Sequence, residues 1–432
     1  MRLARLLLAA ALVFGATTPA LAQDPAPPAP ADSTPGQVLR VYLATYGPGA
    51  AVWEKFGHNA LWIHDDRTGR ALSYNWGMFS FAQDDFIPRL LRGSMRYWME
   101  ARDAQQEADT YAYYDRSVTI QELALTAAQK LELQRFVEWN AREENRYYEY
   151  HYYRDNCSTR VRDALDRVLG GVLAAQLDTI TTGETFRSHS LRLTAGSPLT
   201  YTGIELGLAD SVDHEITAWE AAFVPMELMR RVRDVRVPDA QGGLRPLVLA
   251  EQELFRGVPE PARLPNRVPV YLLIGLVIGG AFVLLGRAAA GSGRIDPATG
   301  RNRGARAARW GLAVLAGAWG VVVGVFGTLI LLLWTSTGHT FTYGNENLFL
   351  ANPIALLLVV LGPAAALGAR WAARPARLVA AGLATLAVLG LALKLLPGFD
   401  QVNHDLLALL VPAHVGAALA FLYRRGDGRA ST

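Results

Sequence analysis

Alternation of hydrophobic and polar positions marks the first part of the chain. Residues 38–46 (VLRVYLATY) keep a two-residue period and stop at Gly47-Pro48-Gly49, which predicts a strand ended by a turn. Residues 60–63 and 71–76 flank Asp65-Asp66-Arg67-Thr68-Gly69, the pattern of a hairpin. A further strand is predicted over 118–125. Thr126 can cap a helix running to about Arg146, with Leu131, Leu133, Phe136 and Val137 as its apolar stripe. Asp155 or Asn156 then caps a second helix, from Cys157 to about Leu169. Val161, Leu165, Val168 and Leu169 form its buried face, and Gly170-Gly171 its stop. The stretch 184–236 reads as largely helical, with the best periodicity from Ile216 to Val232.

After about residue 265 the pattern changes. Apolar runs at 269–286, 309–335, 348–369, 376–396 and 404–423 are each long enough to cross a bilayer. Arg287, Arg294, Arg301, Arg303, Arg306 and Arg309 separate the first two runs, Arg370, Arg374 and Arg377 the third and fourth, and Arg424, Arg425 and Arg429 follow the fifth. The loops 336–347 and 398–405 carry no lysine or arginine. The positive-inside rule therefore predicts five spans, with those two loops and the preceding domain on the exported face and the C-terminus in the cytoplasm.

The N-terminus agrees with export. Arg2 and Arg5, an apolar stretch from Leu6 to Val13, and Ala20-Leu21-Ala22 read as a signal peptide over 1–22 with no lipobox. Residues 23–36 form a Pro/Ala-rich linker, 37–265 an exported α+β domain and 266–432 an all-α membrane domain. The formal net charge of +3 lies mostly in the cytoplasmic arginines, so it gives no argument for nucleic acid.

Candidate chemistry centres on Cys157, the single cysteine of 432 residues. An exported chain that keeps one thiol, unable to form an internal disulfide, at a capped helix start points to a nucleophile. The helix dipole and free N–H groups there lower a thiol pKa and can hold an oxyanion. A buried, inert cysteine is the competing reading. His58, in Phe56-Gly57-His58-Asn59, is the candidate base, and on a strand it shares a face with Ala60, Trp62 and His64. Asn75 is the preferred group to orient the imidazole, with Tyr74 and His151 as alternatives. Trp62 and Tyr74 are candidate substrate contacts. The exported loop 337–347 (TGHTFTYGNEN) adds His339, Asn345 and Asn347, unless it is a plain solvated loop, and Asn403-His404 could join them. His58 and His64 lack a third ligand at recognisable spacing, so no metal or other cofactor is expected. No G-x-S-x-G occurs.

With FGHNALWI, YNWGMF and YRDNCSTRVRDAL together, the chain resembles the bacterial Lnb lipoprotein N-acyltransferases, from about residue 38 to the last run and including NENLFLANP at 345–353. The order His then Cys is also similar to the circularly permuted papain-like (NlpC/P60) superfamily, including the lecithin-retinol acyltransferase group. The resemblance implies a permuted papain-like antiparallel sheet with packed helices, Cys157 as nucleophile and His58 as base. The permuted relatives often carry a second histidine where this chain has Asn75. It further implies a bacterial inner-membrane enzyme with its catalytic domain in the periplasm. Such an enzyme takes an acyl chain from a membrane phospholipid through a thioester and passes it to the N-terminal amine of a lipoprotein. A phospholipase A-like hydrolase, a cell-wall amidase or peptidase of the same fold, and a non-catalytic envelope scaffold are the alternatives.

Overall fold

The computed structural model describes residues 36–239, 241–291 and 303–423. The expected signal peptide, all of the linker but Gly36, and Arg294, Arg301, Arg424, Arg425 and Arg429 lie outside the described residues.

The N-terminal region opens with β1 (Leu39–Tyr46), β2 (His58–Asp65), β3 (Arg70–Met78), α1 (Phe86–Arg92), β4 (Arg96–Asp103) and α2 (Ala104–Tyr113). It continues with β5 (Val118–Leu123), α3 (Ala127–Asn140), β6 (Tyr147–Glu149), α4 (Cys157–Val168) and α5 (Val172–Leu177). Next come β7 (Thr181–Thr185), α6 (Phe186–Leu193), α7 (Pro198–Gly207), β8 (Glu215–Thr217), α8 (Ala218–Ala221) and α9 (Pro225–Val232). The strands β9 (Arg236–Pro238), β10 (Leu244–Pro246) and β11 (Val248–Phe255) complete it.

Seven strands form one antiparallel sheet in the order β11-β5-β1-β2-β3-β4-β6. Strand alternation sends Val41, Leu43, Leu61 and Ile63 to one face, where Leu133 and Val137 of α3 and Val161 and Leu165 of α4 bury them. Ala44, Tyr46, Ala60 and Trp62 go to the other face, under Ala104 and Ala108 of α2. The fold is thus α+β, as the pattern predicts. Several expectations need correction. Helix α3 stops at Asn140, where the chain turns back, rather than near Arg146. The segment 184–236 is four short helices with strand β8 between them, because Pro198 and Pro225 each start a new helix. Strand β4, the edge strand β11 and helix α2 have weak apolar periodicity and carry no clear signal in the sequence.

The C-terminal region holds α10 (Val268–Ala290), α11 (Arg303–Ser336), α12 (Leu357–Leu367), α13 (Arg370–Leu393) and α14 (His404–Leu422). Four of these are long and apolar enough to cross a membrane. The third expected span is instead a broken element, Thr340–Phe349 and Pro353–Leu367, bent by 56°. Asn352 lies in the break and caps the 3-10 turn that Pro353 starts, so the second part sets off in a new direction. Gly279 and Gly416 lie where α10 and α14 touch: a Cβ on Gly279 would stand 2.4 Å from the Pro412 carbonyl oxygen.

The N-terminal region rests on one end of this bundle. The turn after α11 and the loop before α14 both touch it, through His339 to the Leu90 carbonyl (2.8 Å) and Val402 N–H to Asp213 (2.9 Å). At the opposite end Arg287 of α10 meets Tyr423 just beyond α14.

Candidate active site

Cys157 is the first residue of α4, and Asn156 caps the helix by accepting from the N–H groups of Ser158 and Thr159 (2.8 and 2.9 Å). The Asn156 amide in turn donates to the carbonyls of Tyr152 and Phe223, which fixes the cap in the core. Ser158 anchors α4 to β2 by donating to the Asn59 side chain (2.8 Å). The paired register of β2 and β3 ends at Ala60 opposite Asn75, although both strands run on to His58 and Met78. Cys157 sits against these parted ends. On the β3 side is Gly77, with φ +89° and a position where a Cβ would lie 3.2 Å from the Cys157 Cβ. On the β2 side, the Asn59 N–H points at the sulfur.

His58 lies on the α2 face of the sheet. Its Nε2 is 2.9 Å from Asn75 Oδ1. The Asn75 amide nitrogen donates to Ser73 (O, 3.2 Å; Oγ, 3.1 Å) and to Glu107 (3.2 Å), so Oδ1 is the acceptor facing the ring. His58 therefore carries its proton on Nε2, and Nδ1 is left as the basic nitrogen. Behind Asn75 the chain of contacts continues: Tyr46 donates to Glu107 (2.9 Å) and Trp62 Nε1 donates to Tyr46 (3.0 Å). Tyr46 and Tyr111 stack at 3.8 Å, and both rings lie parallel to the imidazole.

Burial dominates the electrostatics. It pushes the Cys157 thiol up to about 11, against the backbone N–H groups of Asn59, Ser158 and Cys157 that favour thiolate. It brings His58 down to about 4, against the Asn75 hydrogen bond. Glu107 is also raised by burial. The resting pair is thus a neutral thiol and a neutral imidazole. The helix end by itself does not keep the thiol ionised, because burial opposes it and the Ser158 and Thr159 N–H groups are taken by Asn156, which leaves the expected need for a base in place.

Cys157 and His58 line one cavity of about 650 Å³. Its wall is mostly aromatic and aliphatic, with Phe79, Tyr97, Tyr150, Tyr152 and Phe223 prominent, while Arg116 adds a charge. Leu333 at the end of α11 and His339, Phe341 and Thr342 in the following turn close one side, so the helical bundle contributes directly.

The other expected site residues fall elsewhere. Trp62 and Tyr74 are core residues on opposite faces of the sheet and do not reach the cavity. His151 accepts from the N–H groups of Tyr153 and Arg154, not from His58. Asn345 and Asn347 are fully engaged in joining the two regions. Their amides donate to the carbonyls of Glu205, Leu206 and Gly207, and their oxygens accept from Asn347 N–H, Gln401 and Asn403. His404 is absent from the cavity wall. Glu107, Tyr46 and Tyr111 were missed, since a glutamate in an unforeseen helix gives no signal in sequence. Among the described residues one group could hold a cation, Glu184, His189 and Glu227. Arg192, Arg230 and Arg231 already surround Glu227, which suits an ion-pair network better.

Residues 28–191, which include His58, Asn75 and Cys157, match the family model described as the Lnb N-terminal periplasmic domain. This stretch belongs to the Lnb family. Membership points to lipoprotein biogenesis, with the Lnb domain in the periplasm and the apolar helices in the inner membrane. No curated protein and no solved structure gives a significant match.

Proposed function

We propose that the protein is a cysteine-dependent acyltransferase that moves an acyl chain from a membrane phospholipid, through a Cys157 thioester, to the N-terminal amine of a lipoprotein. One observation carries this reading: the cavity holding Cys157 and His58 is apolar and is walled on one side by the end of a membrane-spanning helix. A cell-wall peptide would meet few polar partners there, whereas an acyl chain is matched by the lining.

In the proposed reaction His58 Nδ1 takes the thiol proton as the sulfur attacks the donor's ester carbonyl. The Asn59 and Cys157 N–H groups, which face the sulfur, are the proposed donors to the developing oxyanion. Collapse expels the lysophospholipid alcohol, which recovers the proton from His58. The amine of the acceptor then attacks the thioester, and the thiol leaves reprotonated. Asn75 holds the ring in the tautomer that makes Nδ1 the base. The neutral resting pair restrains hydrolysis, since substrate must be present before charge separates. The sheet with His58 preceding Cys157 fits a permuted papain-like arrangement. The arginines at the bundle end away from the Lnb domain favour a cytoplasmic C-terminus.

The test is incubation of purified protein with radiolabelled phospholipid. Wild type should form an adduct that hydroxylamine releases, and Cys157→Ala should not. Equal labelling of both proteins would sink the proposal, and lysophospholipid release without transfer to an amine peptide would turn it into a phospholipase.

A further inference from the structure

The strand-to-strand connection after β3 leaves an unusual surface. Trp53, Phe81 and Leu91 are 59%, 60% and 56% exposed, and Leu90 is exposed beside them. Trp53, Phe79, Phe81 and Phe86 form a continuous run of ring contacts, Trp53 to Phe81 at 5.4 Å and Phe81 to Phe86 at 5.4 Å. Val52, Trp53 and Phe79 also line the cavity that contains Cys157. The exposed patch and the cavity wall are therefore one surface.

The level of this patch is set by α11. Its His339-bearing turn is tied to α1 by His339 to the Leu90 carbonyl (2.8 Å) and by Gly338 N–H to the Arg92 carbonyl (2.8 Å). Trp310 and Trp334 mark the two ends of the apolar part of α11, and both are exposed. The 24 residue steps from one to the other span about 36 Å, the thickness of a hydrocarbon core and the inner edge of the headgroups. Trp334 thus marks the outer headgroup level, and α1 stands within a turn or two of it. Arg89 and Arg92 in the last turn of α1 complete an amphipathic arrangement, apolar side chains beside cations that suit lipid phosphates.

We propose that α1 and Trp53 form a lip inserted in the outer leaflet of the bilayer, and that a phospholipid acyl chain passes over this lip into the cavity. The direction of access rests on the acyl-transfer reading, whereas insertion of the lip does not. A lipid drawn from the leaflet this way need not enter water, because Trp53 and Phe79 continue the apolar path from the patch to the cavity.

Two measurements on the full-length protein in phosphatidylethanolamine/phosphatidylglycerol nanodiscs decide it. In a Cys157→Ala background no cysteine remains, so Leu91→Cys and Leu244→Cys each carry one nitroxide label. The Leu91 label should be relaxed by oxygen more than by an aqueous nickel chelate, and the label at the exposed β10 residue Leu244 should show the reverse. Equal nickel accessibility at both positions would overturn the lip. In the Cys157-containing protein, Leu90→Gln with Leu91→Gln should lower Cys157 acylation from bilayer phospholipid by about tenfold. Acylation from water-soluble p-nitrophenyl butyrate should be unchanged. Unaltered phospholipid acylation, or an equal loss with both donors, would overturn the access route. If wild type accepted neither donor, the acyl-transfer reading would fall, and the nitroxide measurement would still decide insertion.

Discussion

Replacing Asn75 by alanine isolates the link between the imidazole and the relay behind it. Asn75 is completely buried and makes hydrogen bonds to His58, to both oxygens of Ser73 and to Glu107. Glu107 keeps its Tyr46 partner, so the main orphan is the His58 Nε2–H. An unmet buried donor costs about 1–3 kcal/mol, and the lost amide bonds bring the expected destabilisation to about 2–4 kcal/mol. For a domain of this size that is a drop of roughly 5–15 °C in Tm. The kinetic effect follows from the tautomer. Without Oδ1, nothing holds the proton on Nε2, and a preference of about 1.5–3 kcal/mol is lost, or about 10- to 100-fold in rate. The assay is single-turnover acylation of Cys157 by labelled phospholipid, read as hydroxylamine-sensitive adduct, on protein first shown to be folded by its melting curve. Asn75→Asp keeps an acceptor at the same place. It should acylate faster than Asn75→Ala, at the cost of a carboxyl that must share a proton with Glu107. Wild-type acylation by folded Asn75→Ala would refute the orienting role.

Gly77→Ala should cost about 1–3 kcal/mol, because alanine at φ +89° is strained and its methyl presses on the Cys157 Cβ; adduct formation should fall with it, and thermal melting with iodoacetamide labelling of Cys157 reads both effects. The pH dependence has a defined sign. The folded pKa of His58 lies at about 4, below its unfolded value of 6.5, so the unfolded chain binds more protons between these limits. Stability from this group is complete above pH 6.5 and falls by about 3 kcal/mol as pH drops through 4, a loss that urea titrations should show and His58→Gln should abolish. Cys157, raised to about 11, should alkylate at a rate still climbing above pH 9 rather than levelling near neutrality. Asn347→Ala, which strips two carbonyl partners and Asn403, should loosen the Lnb domain on the bundle by about 2–4 kcal/mol. Limited proteolysis in the connection at 256–267 should accelerate, while Cys157→Ala leaves it unchanged.

Local rules carried the sequence reading a long way. Period-two alternation located β1 and the β2–β3 hairpin, and a cap residue followed by an apolar stripe located α3 and α4. Those elements already place a histidine on a strand and a cysteine at a helix start. The apolar runs located the membrane helices, except at the third, where the chain bends by 56° at the Asn352-Pro353 break. These features are legible because each depends on neighbours a few residues apart.

The long-range features belong to the tertiary structure. The face that Asn75 shares with Ser73 suggests an orienting role, but only the α2 contact shows that Glu107 fixes its amide and hence the His58 tautomer. The state of Cys157 depends on what covers it: its helix position favours thiolate, and the aromatic wall assembled from distant segments reverses the balance. Asn345 and Asn347 look like ligand contacts in a polar loop, yet their amide N–H groups go to α7 carbonyls and their oxygens to Asn347 N–H, Gln401 and Asn403. The sequence thus singled out Cys157, His58 and Asn75 as candidates and located helices long and apolar enough to cross a membrane. Burial and long-range hydrogen bonding, which no local pattern encodes, decided their protonation and joined the cavity to the helix beside the bilayer.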